Sequence, residues 1–404
     1  MNNPWIAVAP LEANAFASVR TRAIFDCHKW DPQIGDVCAI APHPLVITRD
    51  AWGEVRALAE ELATETLAAE TELIHRPELH RRLGLSSPIR RALRAVRSHG
   101  APAATARLMR FDFHFTDEGW RISEVNCDVP GGLNEASGLP SIMLSHYPWA
   151  GRVGDPADAY VQALCRHAGP QSRVAFIHAT SYSDDQQMML FLAQRVAGPE
   201  RSVHLASPSH IRWNGGRAFL QAAWWQGPLD LVVRFFPADW LCSLPRASGW
   251  PSLFAGSLTP LSNPATAILT QSKRFPLVWD ALQTRVPAWR RLLPETRDPR
   301  DVAWRSSPDW IIKPAFGRVG EGVGILGVTA SDEMRQIGRA ARFWPSGWVA
   351  QRRFHIRPID MSGTQVFPCL GVYTLDTRVV GAYGRLAPVP LIDARAADAA
   401  VLAA

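Results

Sequence analysis

The chain has 404 residues, of which 47% are hydrophobic and 20% charged, with a formal net charge of +6. This length predicts two or three domains and a large buried core. The mean hydropathy of −0.07 and the lack of a long apolar run argue against a membrane span, and the first residues lack signal-peptide features. Six scattered cysteines without a CxxC pair indicate reduced thiols in a cytoplasmic protein, not a disulfide framework or zinc site.

The first predicted elements are an extended segment at residues 44–49 and a helix from Asp50, its expected N-cap, to about residue 72. A second helix is predicted over residues 77–99. In this basic stretch Ile89, Leu93 and Val96 recur at helical spacing, so the many arginines there are expected on the solvated face of an amphipathic helix. The pI near 9.2 would also suit a nucleic-acid partner, but no nucleic-acid-binding motif accompanies it, and we predict none.

The next predicted element is a β-hairpin over residues 107–126, with a turn signal at residues 116–119. Strand alternation places three phenylalanines in the core and three polar residues on the other face. A three-residue turn at residues 117–119 would pair the strands so that Asp112 faces Glu124 and Arg110 faces Asn126. Ile122 is then expected to share the face of these polar residues.

Two carboxylates directly opposite on one sheet face repel each other. A divalent cation between Asp112 and Glu124, with the Asn126 amide as a further oxygen ligand, would remove that repulsion. An all-oxygen set suits Mg²⁺ or Mn²⁺ and not zinc. The alternative that the hairpin pattern leaves open is an exposed ribbon with solvated acids.

The middle of the chain changes character. Residues 173–178, 202–206 and 229–236 are predicted strands, and a helix capped by Ser183 runs to Gly198. Strand–helix–strand order of this kind predicts a small parallel α/β unit over about residues 170–240. It has no GxGxxG, so no dinucleotide site is expected. The Pro- and Ser-rich residues 245–264 are predicted to be a linker.

A glycine-rich segment dominates the last third, after a short helix predicted at residues 275–282. A strand ending at Lys313 leads into glycines 317, 320 and 322, whose backbone N–H groups can converge on anionic oxygens. Lys313 and Arg318 would add positive charge for phosphate. The pattern is not a Walker motif, and a plain tight turn remains the alternative.

Downstream of the glycine loop, a capping box at residues 329–332 opens a predicted helix to residue 343. Strands at 348–351, 365–374 and 378–385 are predicted to complete a second β-rich layer.

Taken together, Arg110-x-Asp112, Glu124-x-Asn126 and Lys313-Pro-x-x-Gly-Arg318 resemble the glutathionylspermidine synthase-like branch of the ATP-grasp ligases. In that branch the Glu-x-Asn pair precedes the nucleotide-binding lysine, as it does here. The resemblance implies an α/β (α+β) fold with permuted ATP-grasp motif order and a small Rossmann-like pre-ATP-grasp domain. The expected domains are residues 1–168, with the metal-binding part, 169–245, the Rossmann-like domain, and 246–404, the lid and nucleotide-binding part.

The resemblance also implies roles for individual residues. Two Mg²⁺ ions, or Mn²⁺ instead, would bridge the ATP phosphates and be held by Asp112, Glu124 and Asn126. The nucleotide would be bound by Lys273, Lys313, Gly317, Arg318, Gly320, Gly322 and Gln351. Arg110 and Arg385 would act in catalysis by steadying the substrate carboxylate and the transferred phosphoryl group. For Arg385, at a strand end, a surface position is an open alternative.

The function implied by the resemblance is that of an ATP-dependent carboxylate–amine ligase. It would act through an acyl phosphate on a small peptide, polyamine or specialised metabolite. Glutathione is disfavoured because residues 128–135 lack the serines that help to hold it in family members. Asn134 and Glu135 there would either shape the acceptor site or begin a helix. The rival hypotheses are a non-catalytic ATP-binding scaffold of the same fold and a basic nucleic-acid-binding protein; the oligomeric state is not predicted.

Overall fold

The computed structural model describes residues 3–34, 37–99, 106–255, 257–318, 320–361 and 363–404. Their α-helices are α1 (Ala13–Cys27), α2 (Arg49–Ile74), α3 (Ser87–His99), α4 (Leu133–Met143), α5 (Pro156–Ala168), α6 (Ser183–Val196), α7 (Ile268–Gln271), α8 (Pro287–Leu292) and α9 (Ser331–Phe343). Within these described ranges, no helix is long and apolar enough to cross a membrane.

The described strands are β1 (Trp5–Ile6), β2 (Gln33–Ile34), β3 (Val37–Cys38), β4 (Leu45–Ile47), β5 (Leu108–Thr116), β6 (Gly119–Asn126), β7 (Gly151–Arg152), β8 (Arg173–His178), β9 (Ser202–Ala206), β10 (Ile211–Asn214), β11 (Arg217–Gln221), β12 (Gln226–Pro228), β13 (Leu231–Phe235), β14 (Leu261–Ser262), β15 (Thr296–Arg297), β16 (Trp310–Pro314), β17 (Gly324–Ile325), β18 (Trp348–Arg352), β19 (Ile359–Met361), β20 (Thr364–Leu375), β21 (Arg378–Ala387), β22 (Ala397–Ala399) and β23 (Val401–Ala403). The mixture of sheets and helices confirms the predicted α+β class.

The predicted hairpin forms the edge of an antiparallel sheet with strand order β22-β21-β20-β5-β6, and β19 pairs with β20. The inward phenylalanines 111, 113 and 115 are buried beneath it, against α2 and its neighbours. The strands at 348–351, 365–374 and 378–385 were predicted to complete one second β-rich layer, which was wrong, because β20 and β21 join the hairpin sheet and β18 lies in another sheet. Long-range pairing of β20 with β5 is invisible to local sequence patterns.

The hairpin register differs from the prediction in two ways that cancel. The turn has two residues, because Thr116 pairs with Gly119, and a β-bulge lies between Asp112 and Phe113 on one strand and Glu124 and Ile122 on the other. The bulge leaves Ser123 unpaired in the ladder and restores the predicted pairs Asp112–Glu124 and Arg110–Asn126. It also turns Ile122 into the core, which contradicts its predicted position.

Two helix starts were predicted wrongly. Thr48, not Asp50, caps α2, and its hydroxyl accepts the Ala51 N–H at 3.3 Å. The helix predicted over 77–99 begins at Ser87, after turns over residues 77–84. Gly84 there adopts φ +77°, a left-handed conformation that interrupts a helix. The predicted apolar face of α3 is buried, as expected.

The central unit is confirmed as parallel α/β. Its sheet has the order β14-β13-β8-β9, with all neighbours parallel, and α6 connects β8 to β9. Tyr182 precedes α6 as its N-cap residue, in place of the predicted Ser183. Leu261–Ser262 pairs with β13, so the segment predicted as a linker supplies an edge strand of this sheet.

The glycine loop joins β16 to β17 in a further antiparallel sheet of order β15-β18-β16-β17. The predicted capping box is absent from α9, whose N-cap residue Ala330 makes no side-chain cap bond. The Thr329 hydroxyl instead accepts the Ile325 N–H at 2.9 Å and donates to the Val323 carbonyl, which holds the end of β17.

Candidate functional site

A cavity of about 400 Å³ lies where the hairpin, the glycine loop and the α/β unit meet. Residues far apart in sequence line it. Those predicted as site residues that line the cavity are Arg110, Asp112, Glu124, Asn126, Lys273, Lys313, Gly317, Arg318, Gly320 and Arg385. The structure therefore brings the predicted acidic hairpin and the predicted phosphate loop to one place.

Arg110 and Asp112 form a fixed pair at one end of the hairpin. The Arg110 Nε and Nη2 donate to the two Asp112 carboxylate oxygens at 2.7 and 3.0 Å, and Nη1 donates to the Gly131 carbonyl at 2.8 Å. The Asn126 amide also donates to Asp112, at 3.1 Å. This bidentate geometry orients the guanidinium within the cavity wall.

Glu124 connects the hairpin to the glycine loop through a lysine. Its Oε2 lies 2.9 Å from the Lys273 ammonium, which also donates to the Gly317 carbonyl at 2.9 Å. Burial alone would raise the Glu124 pKa, but Lys273, with help from Lys313 and Arg110, lowers it to about 2. Glu124 is therefore a carboxylate throughout the physiological pH range.

The Lys313 side chain contacts the β-bulge of the hairpin at Ser123. Its ammonium donates to the Ser123 carbonyl at 3.2 Å, and to Gln351 Oε1 at 2.7 Å. Gln351 in turn donates to Thr296 Oγ1 at 3.2 Å, so it meets the cavity through Lys313. Burial, and then the charge of Lys273, lowers the Lys313 pKa to about 8.

This pKa predicts that a phosphorylated ligand bound beside Lys313 would be coupled to proton uptake. A bound phosphate favours the charged ammonium, so the pKa of Lys313 rises on binding and protons are taken up between the free and bound values. At about one pH unit above 8, we expect close to one proton taken up for each phosphorylated ligand bound, and an affinity that falls as pH increases further. Calorimetry in two buffers of different ionisation enthalpy measures this uptake.

The Lys313→Arg variant is the matched control, because a guanidinium does not titrate in this range. This variant is expected to bind the same phosphorylated ligand without the proton uptake. Equal proton uptake by the variant and the parent protein would contradict the assignment of Lys313.

The glycine loop packs against the tail of the chain. Gly320 has φ +71°, and a Cβ there would lie 2.5 Å from the Ile392 carbonyl oxygen, so a side chain is excluded on both counts. Gly322 lies behind the cavity wall, facing Pro314 and Trp348. Arg318 reaches across to the α/β unit, with its guanidinium carbon 4.8 Å from the centre of the Trp240 ring.

Arg385 lies in the cavity wall, with 14% of its side chain exposed, so the surface alternative is excluded. Its Nη2 donates to the carbonyls of Asp393 and Ala396 at 2.7 and 3.2 Å, and its Nε lies 3.9 Å from Asp398 Oδ1. The tail of the chain therefore fixes this arginine.

The oxygen donors of the hairpin suit magnesium. Among the described residues no group of three His, Cys, Asp or Glu side chains could hold a metal ion. The predicted set instead has two carboxylates and one amide, and Mg²⁺ is usually held by one or two carboxylates together with substrate phosphates. Asp112, Glu124 and Asn126 therefore fit an ion that arrives with a phosphorylated ligand.

Sequence reasoning missed Lys29 and Asp398 and assigned no role to Tyr383. All three line the cavity. Asp398 lies 2.9 Å from the Lys29 ammonium and accepts a hydrogen bond from the Tyr383 hydroxyl. One signal was available: of the 43 lysine and arginine residues three are lysines, and all three of them line this cavity.

Comparisons with known proteins extend these observations. A family model described as glutathionylspermidine synthase preATP-grasp matches residues 43–396. A search of curated proteins gives no match to this sequence.

Solved structures are similar along nearly the whole chain. A glutathione synthetase-like effector from Globodera pallida is 10% identical, with a TM-score of 0.62 over 96% of both chains. A putative gamma-glutamylcysteine synthetase from Methylobacillus flagellatus is 14% identical, with a TM-score of 0.41 over 86% of this chain and 84% of its own. At 10% identity, the similarity to the Globodera pallida structure shows a shared fold alone.

Proposed function

This chain belongs to the glutathionylspermidine synthase preATP-grasp family, a family of carbon–nitrogen ligases, and from that membership we propose that it joins a carboxylate to an amine at the expense of ATP. The family confirms the resemblance read from the three motifs, and the fold is of the ATP-grasp type. ATP and usually Mg²⁺ serve such ligases.

The observation that carries the proposal is the convergence of the two halves of the site. Lys273 contacts Glu124 of the hairpin and Gly317 of the glycine loop, each at 2.9 Å, although about 150 residues separate the lysine from the hairpin. A metal-type oxygen set and a phosphate-type loop thus share one cavity large enough for a small substrate.

In the proposed reaction the substrate carboxylate attacks the γ-phosphorus of ATP and gives an acyl phosphate with release of ADP. Arg110 and Arg385 hold the carboxylate and offset charge on the transferred phosphoryl group, and Lys313 contacts the phosphates. Mg²⁺ held by Asp112, Glu124 and Asn126 would neutralise phosphate charge. The amine then displaces phosphate, and no covalent protein nucleophile is required.

The glycine loop would protect the intermediate. With Gly320 packed on the tail and Arg318 stacked on Trp240, the loop closes one side of the cavity and excludes water that would hydrolyse an acyl phosphate. Gly317 and Gly320, which line the cavity, would offer backbone donors to the terminal phosphate, whereas Gly322 would shape the loop from behind the cavity wall. Gln351 would act by holding Lys313.

The proposal also includes the division of the chain into domains and its location in the cell. Residues 1–168, 169–245 and 246–404 would form the metal-binding, Rossmann-like and nucleotide-binding parts, with the edge strand Leu261–Ser262 returning to the second of them. All six cysteines are free thiols, in keeping with a reducing cytoplasm. Small carboxylates and amines are the expected partners.

ADP release tests the proposal. With Mg²⁺ and ATP, panels of α-amino acids and small peptides as acids, and of amino acids and polyamines as amines, are expected to yield one pair that accelerates ADP formation. Hydroxylamine in place of the amine traps an activated acyl group as a hydroxamate. ATP binding without any response to a carboxylate would favour a non-catalytic scaffold, and salt-sensitive binding to oligonucleotides would favour a nucleic-acid-binding protein.

A further inference from the structure

Glu135 is a buried carboxylate with one oxygen left over. It is 6% exposed and lines the cavity, its Oε1 accepts from Lys29 at 2.9 Å, and its Oε2 is buried without a hydrogen-bond partner among the described residues. Glu70, equally buried at 6%, has both oxygens bonded, to Arg107 at 2.6 Å and to Thr266 at 2.8 Å. Because buried polar atoms are ordinarily satisfied, the free Glu135 oxygen indicates a ligand that donates to it.

The position of Glu135 places it beside the reacting groups. It is the third residue of α4, whose N-cap residue Gly132 follows Gly131, the residue whose carbonyl accepts the Arg110 Nη1. Glu135 is four residues along the chain from Gly131 and lines the same cavity as Arg110, the arginine proposed to hold the substrate carboxylate.

Lys29 fixes the orientation of Glu135. Its ammonium lies 2.9 Å from Glu135, 2.9 Å from Asp398 and 3.1 Å from Asp31, and its side chain is 7% exposed. Lys29 precedes residue 43, where the family match begins, so this contact is supplied by a segment outside the matched region. With Oε1 bound to Lys29, Oε2 is the oxygen available to a substrate.

The surroundings of Glu135 make its carboxylate easier to protonate. Burial and then the nearby Asp398 carboxylate raise its pKa, although Lys29 opposes them. A carboxylate with a raised pKa is a better proton acceptor near neutral pH.

We propose that Glu135 is the general base of the second half-reaction and that Lys29 is its positioning residue; the proposal rests on the ligase function proposed above. The amine nitrogen forms a bond to the acyl carbon, and the carbon–oxygen bond to phosphate breaks, so that phosphate leaves with the electron pair. The substrate ammonium first gives one proton to Glu135 Oε2, which frees the nitrogen lone pair for attack, and the second proton lost by the nitrogen goes to the departing phosphate.

Comparing the products formed with two nucleophiles distinguishes the base-dependent amine step from carboxylate activation. Hydroxylamine is mostly neutral at neutral pH and attacks acyl phosphates without a base, whereas methylamine is mostly protonated there. With Glu135→Gln, we expect ATP-dependent hydroxamate formation within about twofold of the parent protein, and methylamide formation at least about a hundredfold lower. The ratio of the two products is the readout.

Matched variants control for structural effects. Glu70→Gln alters an equally buried, cation-paired glutamate outside the cavity and is expected to leave the product ratio unchanged. Lys29→Gln is expected to lower the amide-to-hydroxamate ratio, and Lys29→Arg, which keeps the charge, to restore part of it. Loss of both products in equal proportion with Lys29→Gln would assign the lysine a structural role alone.

Failure of the Glu135 assignment can be distinguished from failure of the ligase proposal. If the parent protein forms no hydroxamate with any acid, the ligase proposal itself is wrong. If the parent forms both products and Glu135→Gln forms them in the same ratio, the assignment of Glu135 is overturned while the ligase proposal stands.

Discussion

Replacing Glu124 with glutamine is expected to lower ATP-dependent turnover by about a hundredfold or more while the protein stays folded. The change removes one charged oxygen ligand and the partner of Lys273, but glutamine keeps the shape of the side chain. Asp112→Asn is expected to have a similar effect, because it removes the carboxylate that orients Arg110 with two hydrogen bonds. Initial rates of ADP release measure the loss.

Glu118→Gln is the matched control, since Glu118 lies in the turn of the same hairpin with 80% of its side chain exposed. It is expected to keep full turnover. Thermal unfolding of all three variants checks that the hairpin is intact. Wild-type turnover by both Glu124→Gln and Asp112→Asn would rule out the proposed role of the hairpin.

The second large effect is expected on nucleotide affinity. Lys313→Ala removes a buried ammonium that faces the proposed phosphate position, a charged hydrogen bond of about 1.5–3 kcal/mol. The Kd for ATP is therefore expected to rise about ten- to a hundredfold, with a smaller effect on the rate at saturating ATP. Titration calorimetry with Mg²⁺ and a non-hydrolysable ATP analogue gives the affinity directly.

Arg352→Ala is a suitable control for Lys313→Ala. Arg352 lies on β18, next to Gln351, but is half-exposed and paired with Glu295 at 3.2 Å. We expect it to bind the analogue as the parent protein does. If Lys313→Ala binds the ATP analogue as tightly as Arg352→Ala does, the assignment of Lys313 to the nucleotide site is contradicted.

The hairpin shows how far sequence reasoning reaches. Alternation of phenylalanines with polar residues predicted which side chains face the core, because a half-buried strand has a period of two. The pairing of Asp112 with Glu124 was predicted through a turn one residue too long, and the unforeseen bulge at Ser123 compensated. Bulges depend on packing between strands, so local patterns do not reveal them, yet this one presents the carbonyl that Lys313 contacts.

Other parts of the site depend on contacts that no local pattern encodes. Lys29 and Asp398 lie near opposite ends of the chain and meet through a buried ion pair. The sequence around Lys29 has no motif, and the scarcity of lysine was the one accessible clue. Likewise β20 and β21 resemble any antiparallel pair in sequence, while their position beside the hairpin follows from packing against α2.

The most direct test of the central claim, activation of a carboxylate by ATP at this cavity, follows oxygen isotopes. The substrate acid that supports ADP release is labelled with ¹⁸O in its carboxylate, and the phosphate released during amide formation is analysed by mass spectrometry. An acyl phosphate intermediate predicts one ¹⁸O atom in each phosphate formed. Unlabelled phosphate, or label in AMP, would contradict the account.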